Sequence, residues 1–126
     1  MTASGLVHLV DDDEDVRRAL AFLLGTAGFA VKVYESGSAF LEKCEDFQSG
    51  CIVSDVRMPG IDGLELQRRV RLQHPRLPVI FITAHYDDEI RQQALSQGAV
   101  VFLHKPFDAA DLLGAIELTV NRFSKD

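Results

Sequence analysis

The chain has 126 residues, 47% of them hydrophobic, with thirteen basic against nineteen acidic side chains and a net charge of −6. That length suits one domain with a single core, 1–126 with its core at about 5–121, and the composition argues against long disordered tracts. The acidic balance disfavours direct contact with nucleic acid, whose phosphates dominate affinity. No apolar stretch reaches the roughly 20 residues that span a bilayer, and Met1–Gly5 lacks a signal segment, so a cytoplasmic location is the expectation.

Apolar runs at Gly5–Val10, Ala30–Tyr34, Cys51–Asp55, Val79–Thr83 and Val100–Leu103 read as strands buried on both faces of a parallel sheet. Helical spacing fills the intervals. Val16, Leu20, Leu23, Leu24 and Ala27 share one helix face, with Arg17 and Arg18 pointing elsewhere and Gly28 as the stop. Ser36 caps a short second helix with Ala39, Phe40 and Cys44, and a third runs over Gly63–Gln73 until His74-Pro75. Asp87-Asp88-Glu89 open a fourth, where acidic residues suit the helix dipole. It carries only Ile90, Ala94 and Leu95 as anchors, so it is the helix that moves most readily. Asp108 caps the fifth, with Leu112, Leu113, Ile116 and Val120 inward. Five strand-then-helix repeats predict an α/β fold with right-handed crossovers.

Three of these runs end in charge: Asp11-Asp12-Asp13, Asp55, and His104-Lys105-Pro106. The carboxyl ends of neighbouring parallel strands share the edge where such folds bind ligands. Asp11 and Asp12 can serve as a helix N-cap. Placed beside Asp55 they would instead repel one another unless a cation intervened, and a hard cation such as Mg²⁺ suits an all-oxygen set. Asp55 itself can be a metal ligand, a nucleophile forming an acyl phosphate, or a cap of the Val56–Gly60 loop. Thr83 offers a hydroxyl to one phosphoryl oxygen, and Lys105 a compact charge to another. A cis bond before Pro106 would turn Lys105 into this pocket, although proline after a strand usually only ends it. Cys44 and Cys51 read as small hydrophobes, and the four scattered histidines lack zinc spacing.

Val10-Asp-Asp-Asp13, Ser54-Asp-Val-Arg-Met-Pro-Gly-Ile-Asp-Gly63, Thr83-Ala84 and Lys105-Pro-Phe107 together closely resemble the receiver domain of two-component response regulators, over residues 6 to about 121. Val7–Asp11, Ala99–Phe102 and Lys105–Phe107 are most similar to the FixJ-type subfamily, whose members carry a helix-turn-helix output. The resemblance implies a flavodoxin-like doubly wound sheet of order 2-1-3-4-5. It further implies that Asp55 is the phosphoacceptor for a sensor histidine kinase. Asp11, Asp12, Asp55 and the Arg57 carbonyl would hold Mg²⁺, with Mn²⁺ able to substitute. Lys105, after a cis bond to Pro106, and Thr83 with Ala84 beside it would bind the phosphoryl group, and Phe102 would be the switch aromatic. Without the resemblance, Phe102 reads as an edge-strand aromatic. By the same resemblance, Arg57 and His85 would take two rim positions and tune phosphoryl lifetime.

The implied output is the face of the fourth helix, fifth strand and fifth helix, with dimerisation on phosphorylation and a transcriptional effect through another domain. Two alternatives remain. One is a stand-alone receiver acting through protein contacts. The other is a Mg²⁺-dependent phosphohydrolase, which would want a second aspartate where Arg57 stands. The polar ending Asn121–Asp126 resembles the start of a linker.

Overall fold

A computed structural model describes residues 5–43, 50–84 and 87–123. Strands and helices alternate strictly among them: β1 Leu6–Val10, α1 Glu14–Thr26, β2 Ala30–Tyr34, α2 Gly37–Lys43, β3 Cys51–Asp55, α3 Gly63–Gln73, β4 Val79–Thr83, α4 Asp88–Ser96, β5 Val101–His104 and α5 Ala109–Phe123. All strand pairs are parallel, in the order β2-β1-β3-β4-β5. This is the flavodoxin-like doubly wound arrangement, and the break in strand order lies between β1 and β3. Among the described residues no helix is long and apolar enough to cross a membrane.

The unbroken apolar runs follow from burial on both faces. Val7 and Leu9, Val53, Ile80 and Ile82 meet Leu24 of α1 and Leu112 and Ile116 of α5. The alternate residues Val10, Ile52 and Phe81 meet Phe40 of α2, Leu66 and Val70 of α3, and Ala94 of α4. Every residue of β4 is buried, whereas β2 and β5, the two edges, are largely exposed or half-buried.

Helix starts lie close to the sequence expectations, with one correction. The N-cap of α1 is Asp13, whose carboxylate accepts from Asp15 N at 2.9 Å and Val16 N at 3.2 Å. Asp11 and Asp12 are thereby released from capping. Asp62 caps α3 and Asp87 caps α4 in the same way, and Ser36 Oγ accepts from Ala39 N at the start of α2. Cys44 lies outside the described residues. At α5 the Asp108 carbonyl accepts from Asp111 N and Leu112 N.

Two strand boundaries shift. β1 begins at Leu6 because Gly5 sits at φ +131°, outside the extended region. β5 runs one residue later than the apolar run, since His104 pairs with Thr83 and continues the ladder. α4 is the lightly seated helix: Ala94 is its single fully buried residue, while α3 buries Gly63, Leu66, Gln67 and Val70.

Candidate functional site

The carboxyl edge of the sheet collects the charged strand ends. Asp11 follows β1 and is fully buried, while Asp12 beside it is exposed. Asp55 is the last residue of β3, pairing with Ile82, and Thr83 closes β4 as a buried hydroxyl. Carboxylate oxygens of Asp11, Asp12 and Asp55 lie within 4.8 Å of one another. Lys105, just beyond β5, places Nζ 3.6 Å from Asp55 Oδ2 and 3.8 Å from Asp11 Oδ2. These are ion pairs beyond direct hydrogen-bond reach. The Lys105–Pro106 peptide bond is cis.

The electrostatics centre on Asp11. Its Oδ1 accepts from Asp13 N at 2.9 Å, but its buried Oδ2 has no hydrogen-bond partner. Burial pushes the Asp11 carboxyl above its ordinary range, and the negative charges of Asp55 and Asp12 add to the shift. The Asp13 N–H bond and Lys105 oppose it. Three carboxylates beside one lysine, with a buried oxygen lacking any hydrogen bond, leave negative charge that a hard divalent cation would offset. The donor set fits such an ion.

Local geometry explains how Asp55 is held. Arg57 N donates to Asp55 Oδ1 at 3.2 Å, and Ser54 Oγ donates to the Asp55 carbonyl at 2.8 Å. Gly63 N donates to Val56 O at 2.7 Å, folding the β3–α3 loop onto α3. A Cβ at Gly63 would lie 2.6 Å from Asp55 O, 2.8 Å from Val56 Cα and 2.9 Å from Phe81 Cε1. Only glycine permits this approach.

Asp11, Asp12, Asp55 and Lys105 thus converge, with Thr83 on the same edge. Ala84 and Arg57 are exposed beside it, and Arg57 lines a cleft of about 490 Å³ with Met58, Leu64 and Ile90. Phe102 is half-buried on edge strand β5, with its ring centroid 6.3 Å from that of Phe81. His85 lies outside the described residues.

Two contributors escaped the sequence reading. Arg17, expected to point away, is half-buried, and its Nη1 donates to the Asp11 carbonyl at 2.8 Å. Its signal was a basic residue one helical turn into α1, next to the apolar Val16. Gly63 stands in the sequence reading as a helix start and as the end of the Ser54–Gly63 motif, with no packing role given to it. Its signal was a glycine in a helical first turn, where most residue types do better.

Residues 7–117 match the response regulator receiver domain family. The transcriptional regulatory protein FixJ of Bradyrhizobium diazoefficiens is 41% identical over 122 residues, covering 97% of this chain and 60% of that protein. FixJ of Rhizobium meliloti is 44% identical over 111 residues, covering 88% and 54%. The chain therefore spans between 54% and 60% of the length of these curated relatives. Among solved structures, FixJ-N superposes with a TM-score of 0.86 at 42% identity, covering 93% of this chain and 94% of that one.

Proposed function

The chain belongs to the response regulator receiver family, a family of regulatory signalling modules, and from that membership we propose that it is a switch set by phosphorylation of Asp55. A sensor histidine kinase is the donor, and the reaction belongs in the cytoplasm. The Asp55 carboxylate attacks the phosphorus of a phosphohistidine; an O–P bond forms, the N–P bond breaks, and the imidazole leaves. The observation that carries this reading is the convergence of Asp11 and Asp55, remote in sequence, on Lys105 Nζ at 3.8 and 3.6 Å.

Each neighbour has a task. Lys105 is near enough to close onto a phosphoryl oxygen without moving its backbone, and the Thr83 hydroxyl with Ala84 beside it would bind a second. Asp11, Asp12, Asp55 and the Arg57 carbonyl would hold Mg²⁺ or Mn²⁺, which when bound would offset the charge gathered as phosphate meets carboxylate. Arg57 N keeps the Asp55 carboxylate oriented. The exposed Arg57 side chain, and His85 by resemblance, would screen the acyl phosphate from water. Arg57→Ala should therefore shorten its lifetime.

The output follows from the packing. α4 is anchored by one fully buried residue, Ala94, with Ile90 and Leu95 only half-buried, so a modest free-energy change suffices to shift it. Phe102, packed on Phe81, would follow Thr83 inward. The altered α4–β5–α5 face would then pair two copies and control a transcriptional output in another domain, as the name of the FixJ relatives suggests.

Labelled acetyl phosphate with Mg²⁺ tests the assignment. The wild-type chain should take up one phosphoryl group, and Asp55→Asn none. Equal labelling of both proteins would overturn it.

A further inference from the structure

The last carbonyls of a helix have no partners within it and must find them elsewhere. In α4, Ala94 O accepts from Ala99 N at 3.0 Å, and also from outside the helix, from Gln67 Nε2 of α3 at 2.9 Å. Gln67 is 1% exposed and lies beside Leu66 and Val70 on the buried face of α3. An aliphatic side chain would suit such a position without desolvating an amide. The other end of that amide, Oε1, is buried with no hydrogen-bond partner. Exchanging the amide ends would aim oxygen at the Ala94 carbonyl, so chemistry fixes the orientation.

A half-satisfied buried amide is a cost to stability. What it provides is direction. The Ala94 methyl is small and smooth, and an apolar contact there would let α4 slide along α3 with little penalty. A hydrogen bond tolerates no such slide. We propose that Gln67 is a positioning residue that holds the C-terminal end of α4 at one place along α3. Taken with the switch reading above, on which this consequence rests, the Gln67–Ala94 bond must break before α4 can shift. It therefore sets how readily the phosphoryl signal is transmitted.

The test compares wild type with Gln67→Leu and with Gln67→Met, which keeps an unbranched chain should leucine pack badly. Without divalent cations, both variants should melt at or above the wild-type temperature, because the unpaired Oε1 is gone. Amide hydrogen exchange at Gly98 and Ala99, read by NMR, should nevertheless accelerate about tenfold, the loss of one net hydrogen bond. Lower melting with unchanged exchange would mean that Gln67 is packing alone and would overturn the proposal; unchanged values of both would do the same. Beryllofluoride with Mg²⁺, a phosphoryl mimic, is then titrated into each protein, and the variants should respond at lower concentration than wild type. If exchange accelerates as expected while no protein responds to the mimic, the tether stands and the switch reading falls.

Discussion

Adding one methyl group at Gly63 should damage this protein more than its size suggests. The new Cβ would press on Asp55 O at 2.6 Å and Val56 Cα at 2.8 Å, which are backbone atoms, and on Phe81 Cε1 at 2.9 Å inside the core. Backbone cannot rotate aside, so relief would require α3 to lift from β3 and would stretch the 2.7 Å bond from Gly63 N to Val56 O. Overpacking of this kind costs about 3 kcal/mol at the upper end of its usual range. For a domain of this length that lowers the melting temperature by roughly 10 °C. Gly114, exposed in the middle of α5 with nothing within 4 Å of its would-be Cβ, is the control. Gly114→Ala should gain about 1 kcal/mol from helix propensity. Both variants are followed by thermal and urea unfolding, with acetyl phosphate labelling as a second readout, since the displaced atom is the Asp55 carbonyl. A Gly63→Ala protein as stable as wild type would refute the claim that this close approach holds the phosphoacceptor loop.

Asp11→Asn should raise stability at neutral pH in metal-free buffer. The folded state holds the Asp11 proton more tightly than the unfolded state, so its contribution turns unfavourable once pH passes the ordinary carboxylate value and is fully so above the raised pKa. The gap between variant and wild type should therefore close as pH falls toward the ordinary carboxylate value, and Mg²⁺ should stabilise the wild type more. A gap that widened on acidification would refute the sign. Cys51, whose thiol burial pushes up to about 12, should resist alkylation in the native protein at pH 7, with mass spectrometry of the Cys51 peptide as the check. Asp13→Ala removes the α1 cap and should cost about 1 kcal/mol in urea unfolding; no loss would return the capping role to Asp11 or Asp12.

The sheet was legible because both its faces are covered. Val7 to Val10 and Val79 to Thr83 must be apolar almost without interruption, so they stand out from helices with one buried stripe. Their charged ends were legible for the same reason, since Asp11 and Asp55 interrupt runs that nothing else breaks. Gln67 was not: a polar residue within a helical pattern reads as solvent-facing, and only the packing of α4 against α3 buries it. His104 escaped as a strand residue because pairing with Thr83, and not hydropathy, extends β5. The capping role of Asp13 was hidden among consecutive acids, where composition is uniform and only backbone geometry distinguishes them.

The two neighbours of Asp55 on the α2–α4 side of the sheet are unequal supports. α3 abuts it through the gap left by Gly63, backbone against backbone, and behaves as a fixed wall. α4 leans on the same layer through the buried Ala94 methyl, the half-buried Ile90 and Leu95, and one amide bond. Any load applied at the end of β3 therefore meets stiffness on one side and compliance on the other. The direction in which this domain deforms is set by a missing side chain, at a position that never touches the ligand.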